Sequence, residues 1–176
     1  FPYTTLFRSL AITQDEAVMR YYGMDPFQTE AEALDEINWF SDQYDEKNGI
    51  RWIITIKPQD DYVGDVGFSY AERHARAELG FKLARQHWLR GIMTEALDAV
   101  IAHGIEAWQV NRFEAVADPR NTACVALLEA YGFLREGLLR EYERESSGFV
   151  DLFMLSLLAR EWKAGSLDAG SAASTA

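Results

Sequence analysis

Apolar residues change their spacing several times along this chain, and each change marks an element. Thr13 followed by Glu16 forms a capping-box pattern and predicts a helix to about Tyr22. Val18, Tyr21 and Tyr22 share one side of it, and Gly23 is its stop. Asp25-Pro26-Phe27 reads as a loop. Thr29 with Glu32 is a second capping box, and Ala33, Ile37, Phe40 and Tyr44 then recur at helical spacing until Asn48-Gly49. The period then falls to two. Trp52, Ile54 and Ile56 alternate, Tyr62 to Tyr70 reads as a second strand weakened by Gly64 and Gly67, and Arg73 to Arg76 is a basic turn. Ala77, Leu79, Phe81 and Leu83 share one face of a third strand, with Glu78, Gly80 and Lys82 on the other. Three strands joined by short turns predict an antiparallel meander.

From Gly91 the helical period returns, with Leu97, Val100, Ile101, Ile105 and Trp108 as its stripe. Phe113 to Ala117 is a short strand closed by Asp118-Pro119. Asn121 is placed to cap a helix that carries Cys124, Leu127, Leu128 and Tyr131 on one face and stops at Gly132. Two final strands, about Phe133 to Arg144 and Phe149 to Leu158, flank the turn Ser146-Ser147-Gly148. The order predicts an α/β (α+β) layer arrangement, a mixed sheet with helices on both faces. Its one crossover, residues 77–117, is expected to be parallel and right-handed.

The 176 residues suit a single domain with a full core, here placed at 10–160. Residues 1–9, Phe-Pro-Tyr-Thr-Thr-Leu-Phe-Arg-Ser, resemble a translated sequencing adapter, which implies that the native first strand is truncated. Residues 161–176 read as a tail, small and polar and expected to be disordered from about 164. The net charge of −11 disfavours nucleic acid and anionic membrane as partners. It serves solubility, and it would also draw cationic amines. One cysteine, Cys124, excludes an internal disulfide and is compatible with a reducing compartment. There is no run long enough to span a membrane and no signal-peptide pattern, so a cytoplasmic protein is expected, monomeric or homodimeric.

Chemistry concentrates after the third strand. In Leu83 to Thr94 a strand ends, a turn follows and a helix opens near Gly91. Free amides at a helix start favour anions, Gly91 permits close backbone approach, and Arg90 adds a cation. With a single glycine, an ordinary strand-to-helix turn is the competing reading. Four stretches extend the picture: Ala77 to Leu83; Trp88-Leu89-Arg90-Gly91-Ile92-Met93-Thr94-Glu95-Ala96-Leu97; Arg112 to Ala115 with Asn121 to Phe133; and Glu136-Gly137 with Asp151-Leu152. In this order and spacing, residues 10–158 resemble the GCN5-related N-acetyltransferase (GNAT) superfamily, and within it the branch of ribosomal-protein alanine N-acetyltransferases.

The resemblance implies a mostly antiparallel central sheet and acetyl-CoA as acetyl donor, with no metal. It implies that the backbone of Phe81 to Leu83 pairs with the pantetheine arm. The amides of Leu89, Gly91, Ile92 and Met93 would hold the pyrophosphate, with Arg90 and Thr94 in the same loop. Asn121 would contact the donor near the splayed strands, and the acetyl group would sit between strands 77–83 and 113–117. Three positions depart from the pattern. Leu89 replaces the loop's first glycine, so either the loop stays right-handed or donor affinity falls. Cys124 replaces a serine, and packs or contacts the donor sulfur. Leu128 stands where many members carry a general-acid tyrosine.

An ammonium must lose a proton before its nitrogen can attack a thioester, and a carboxylate of raised pKa suits that task. Glu78, beside the expected thioester, is the preferred base, with a structural salt bridge as the competing role. Glu114 is the reserve, with an ion pair as its alternative. His74, His87 and His103 lack metal-ligand spacing, although His87 lies in the loop. The acceptor is expected between the first two helices and the final hairpin, near Asp25, Phe27, Trp39, Tyr142 and Phe149. The function implied is acetylation of a primary amine, a protein N-terminus or a small molecule such as a polyamine or amino-sugar antibiotic. A non-catalytic acyl-CoA-binding module is the reading from another class.

Overall fold

Glycine-flanked runs of β-branched and aromatic residues form the meander that the alternation predicts. Strands β1 (Gly49–Ile56), β2 (Asp61–Ala71) and β3 (Arg76–Leu83) pair antiparallel in sequence order in a computed structural model that describes residues 3–146 and 148–163, with the side chains of 3–7 apart. Helix α4 (Ile92–Trp108) carries the chain across to β4 (Arg112–Ala117), which lies parallel to β3. Helix α5 (Thr122–Ala130) and the antiparallel pair β5 (Leu134–Glu145) and β6 (Gly148–Leu158) complete the fold. The six strands stand in the order β1-β2-β3-β4-β6-β5. The centre of the turn expected at Ser146 to Gly148 and the tail from 164 lie outside the described residues.

The two sheet faces differ in chemistry, as period-two alternation requires. On one, Val66, Phe68, Leu79, Phe113 and Leu155 are buried with Leu97, Val100 and Ile101 of α4 and Val125 and Leu128 of α5. Phe68 meets Trp108 and Phe113 edge-on, with centroids 5.4 and 6.3 Å apart. The other face carries α1 (Tyr3–Thr13), α2 (Glu16–Met19) and α3 (Glu30–Asp45). The Thr29 capping box opens α3 as its sequence predicts, with Glu32 N–H donating to Thr29 Oγ1 and Glu32 Oε2 accepting from Thr29 N–H.

The first helical segment differs from its expectation. Thr13 does not open a helix. It ends α1, where its buried hydroxyl donates to the carbonyls of Ser9 and Leu10. Asp15 caps α2 instead, accepting from Ala17 N–H, because Thr13 is already committed to the preceding turn. Helix α1 takes in residues 3–9 and packs on α3 and β2, with Ser9 buried and Arg8 paired to Asp61 at 2.6 Å.

Candidate active site

The parallel pair β3–β4 stays together for only three residue pairs, Arg76↔Arg112, Ala77↔Phe113 and Glu78↔Glu114. Beyond Glu78 and Glu114 the strands splay. The carbonyl of Ala75 faces β4, accepting from Asn111 and Arg112, whereas the amide of Ala84 bonds to Val63 on the β2 side. By alternation the backbone groups of Leu79, Phe81 and Leu83 point into the opened gap. One of them is occupied within the protein, since Trp88 Nε1 donates to the Leu83 carbonyl at 2.7 Å. Helix α4 begins beside this gap. Its first helical bond runs from Glu95 N–H to the Gly91 carbonyl, so the amides of Ile92, Met93 and Thr94 have no intrahelical acceptor.

Gly91 has φ +76°, and a Cβ there would meet nothing within 4 Å, so the loop borders open space. Leu89 also adopts left-handed backbone, φ +59°, with its side chain fully exposed. The loop therefore does not stay right-handed, as one branch of the sequence expectation had it. The shape of a two-glycine loop is kept at the cost of placing a leucine in it. Buried His87 Nδ1, just upstream, has no hydrogen-bond partner.

A single cleft of roughly 2330 Å³ connects these features. It is lined by Glu78, Phe81, Leu83, Leu89, Arg90, Gly91, Ile92, Met93, Thr94, Asn121 and Cys124, the preferred base and the residues picked out for donor binding, whereas the reserve base Glu114 does not line it. Asn121 caps α5 by accepting from Cys124 N–H at 3.2 Å, which leaves its amide NH₂ as a donor toward the cleft. Burial pushes the Cys124 thiol up to about 11, so it remains protonated at neutral pH. Leu128 is fully buried in the core. Nearby Tyr131 does not supply the missing acid, because its hydroxyl is bonded to Asp98 and accepts from Trp162 Nε1.

The two base candidates separate clearly. Glu114 is buried between two guanidinium groups, Arg112 Nε at 2.7 Å and Arg76 Nε at 3.2 Å, as its ion-pair alternative has it. Glu78 makes no hydrogen bond and no ion pair among the described residues and is accessible from the cleft. Partial burial and the neighbouring Glu114 charge push its carboxyl above the ordinary glutamate range, against the pull of Arg76.

The place over Gly80, on the same strand face as Glu78, is filled. Arg51 reaches from β1 across Gly67 and places Nη1 2.7 Å from the Gly80 carbonyl. Its Nε donates to Asp65 at 2.7 Å and its Nη2 to Tyr22 at 2.7 Å. Lys82, almost wholly buried, donates to both oxygens of Glu36 at 2.6 Å and lies 3.5 Å from Asp65. Burial opposes ionisation of Asp65, but Arg51 and Lys82 outweigh it and hold the carboxyl below its usual range. This network ties Tyr22, in the turn after α2, and helix α3 to the floor of the cleft. Its signal in the sequence is three opposite charges, Arg51, Asp65 and Lys82, in the middle of strands.

On the acceptor side, Asp25, Phe27 and Trp39 line the cleft, Phe27 as part of the core and Trp39 half exposed. Tyr142 and Phe149 do not line it, contrary to expectation. The reason is an irregularity in β5: Leu139 pairs with Leu152 and Glu143 with Val150, so three residues of β5 bulge opposite Asp151 alone. The bulge turns Tyr142 to solvent and Glu143 toward the cleft. Among the described residues no cluster of three or more His, Cys, Asp or Glu is placed to hold a metal, and no helix is long and apolar enough to cross a membrane.

Comparison with known proteins agrees with this architecture. The family model for the acetyltransferase (GNAT) domain matches residues 4–134. The chain is 36% identical over 149 residues to N-acetyltransferase p20 of Bacillus licheniformis, itself uncharacterized, with 84% of each chain covered. It is 33% identical to N-acetyltransferase YoaA of Bacillus subtilis, also uncharacterized, over the same length and with the same coverage. Its fold matches that of the spermidine N-acetyltransferase from Vibrio cholerae, solved with CoA and spermine, with a TM-score of 0.78 at 17% identity over 92% of this chain and 94% of that one. The splayed strands, the amide-rich start of α4 and these relationships lead to one conclusion: the chain belongs to the GNAT family and is an acetyltransferase.

Proposed function

We propose that this enzyme moves the acetyl group of acetyl-CoA to a primary amine, with Glu78 as the base. The observation that carries the reading is Glu78 itself, an unpaired carboxylate of raised proton affinity at the point where β3 and β4 part. The free backbone edge at Leu79 and Phe81 suits the amides of a pantetheine arm. The amides of Ile92, Met93 and Thr94, with Leu89, Arg90 and Gly91, suit a diphosphate. Asn121 and Cys124 border the gap where the thioester would lie.

In this arrangement the ammonium of the acceptor gives its proton to the Glu78 carboxylate, directly or through one water. The freed nitrogen forms a bond to the thioester carbonyl carbon as the C–S bond breaks, and the second proton it sheds passes to the departing thiolate, which leaves as the CoA thiol. A protein N-terminus and a small amine both offer the required nitrogen. The observation favouring a small cationic acceptor is a pair of cleft-lining carboxylates with no ion-pair partner among the described residues, Glu78 and Glu143. Thiol release from acetyl-CoA against a panel of amines tests the reading. Saturable release with an amine and its loss in Glu78→Gln are expected. Binding of CoA with no amine acetylated would leave only the acyl-CoA-binding alternative.

A further inference from the structure

Most of the half-buried or buried carboxylates near the cleft have a cation in the protein. Asp65 has Arg51 and Lys82, Glu36 has Lys82, Glu114 has Arg112 and Arg76, and Asp118 has Arg120 at 2.5 Å. Among the described residues, half-buried Glu143 and the exposed, cleft-lining Glu78 have none. Glu143 is half buried, and Arg120, which also lines the cleft, is held by Asp118 and reaches Glu145 at 3.9 Å rather than Glu143. Burial, then the charges of Glu145 and Glu78, push the Glu143 carboxyl above its ordinary range. Both carboxylates line the one cleft, Glu78 from β3 and Glu143 from β5, and the Glu78 charge reaches Glu143.

The position of Glu143 is built by its surroundings. The bulge in β5 turns it inward, with Glu141 in left-handed backbone at φ +50° and its amide fixed by Asp151 Oδ1 at 2.7 Å. On the facing side Gly23 makes room. A Cβ at Gly23 would lie 2.5 Å from Glu143 Oε1. The bulge and Gly23 together seat the carboxylate at the edge of the cleft, against the Gly23 backbone, with no ion-pair partner among the described residues.

We infer that Glu143 is a specificity-determining residue that receives a second cationic group of the acceptor, so that the enzyme prefers a primary amine carrying another positive charge on the same short chain. The inference rests on the proposed amine acetylation. One ammonium delivered to Glu78 neutralises one carboxylate and leaves the other uncompensated in a partly desolvated cleft. A dication neutralises both, and the half-exposed ring of Trp39 offers an apolar wall to the methylenes between its charges. Glu143 takes no part in the proton transfer. It holds the far end of the acceptor and thereby positions the near end.

The test is steady-state kinetics at saturating acetyl-CoA with n-butylamine and with unbranched diamines of three to six methylenes, using the wild-type chain, Glu143→Gln and Glu78→Gln. At least one diamine is expected to exceed butylamine in kcat/KM well beyond the twofold statistical advantage of two equivalent amines. Glu143→Gln should lower that diamine's kcat/KM about tenfold through KM, with kcat kept, while butylamine changes less than twofold, as loss of one charge-assisted contact requires. Glu78→Gln should instead lower kcat for both. Equal loss for mono- and diamine in Glu143→Gln, or no diamine preference in the wild type, overturns the role of Glu143 and leaves amine acetylation standing. If no amine is acetylated by the wild type, amine acetylation itself fails, and this inference with it.

Discussion

Arg51 Nη1 lies 2.7 Å from the carbonyl oxygen of Gly80 and 2.7 Å from the place where a Gly80 Cβ would be. The guanidinium crosses two strands only because both residues beneath it, Gly67 and Gly80, lack side chains. The two glycines are not equivalent. A Cβ at Gly80 meets the tip of a flexible side chain, whereas one at Gly67 meets the Ile50 carbonyl oxygen at 2.1 Å and Arg51 Cα at 2.8 Å. Gly80→Ala is therefore expected to cost about 1–2 kcal/mol, a charge-assisted hydrogen bond partly offset by reduced unfolded-state entropy. Gly67→Ala is expected to cost about 3 kcal/mol or more, because backbone must move. Urea unfolding of both variants decides the matter, and equal costs would rule out the tip-versus-backbone argument.

Leu89 and Gly91 hold the same left-handed backbone one residue apart, and the leucine side chain packs against nothing. A non-glycine residue there costs roughly 1–2 kcal/mol, and glycine recovers this less about 0.5–1 kcal/mol of added unfolded-state entropy. Leu89→Gly is expected to raise stability by up to about 1 kcal/mol and to hold or tighten CoA binding, since the loop already has the glycine shape. Gly91→Ala should lower stability, since its φ is unfavourable even though the space is free. Thermal melts and CoA titration calorimetry check both. Weaker CoA binding in Leu89→Gly would contradict the cradle.

Much of this was legible in the sequence because local rules and tertiary structure agree. The Thr29 capping box, the Asn121 cap and the alternation through β1 to β3 each specify their element without help from distant residues. The loop at Gly91 was legible as a candidate site only together with its neighbouring strands. What stayed hidden depends on residues far apart in sequence. The bulge that turns Glu143 inward is set by pairing with β6 and by Asp151, so the sequence reading placed Tyr142 near the acceptor and did not single out Glu143. Trp88 capping the Leu83 carbonyl leaves no periodic signature. Thr13 offered a valid capping pattern, and the preceding helix claimed its hydroxyl first.

Arg112 grips both oxygens of Glu136 at 2.8 and 2.6 Å, and Ser156 donates to the same carboxylate at 2.6 Å. The Arg112 bonds, followed by that of Ser156, hold the Glu136 carboxyl down at about 2. A depressed carboxylate pKa contributes stability that is present above the unfolded value and is lost as pH falls through the folded one. The expected outcome is a loss of stability from about pH 4.5 toward 2, smaller in Glu136→Gln, whose amide cannot titrate. The group is largely exposed, so solvent and salt should shrink the difference. Acid-titrated unfolding at low and high salt measures it, and identical acid limbs for both chains would show that the pair contributes nothing.

Glu78 carries the opposite sign. Its carboxyl is raised in the folded chain, by partial burial and then by Glu114, so the folded state holds the proton to a higher pH than the unfolded state does. Stability contributed by this group is full below the unfolded glutamate pKa and declines as pH rises through the window up to the folded value. Glu78→Gln should therefore be at least as stable as the wild type at neutral pH, with the difference vanishing in acid. Its rate should move the other way. A base works only when deprotonated, so wild-type kcat/KM should rise with pH through a value above the ordinary glutamate range, and that acidic limb should disappear in Glu78→Gln along with most of the turnover, typically 10²–10⁴-fold. CoA affinity should stay within about twofold, because a base acting only on the acceptor alters no donor contact. Paired melts, pH–rate profiles and CoA titrations on the two proteins read all three. A variant that turns over at the wild-type rate removes Glu78 as base, and one that loses stability and CoA binding together assigns it a structural role instead.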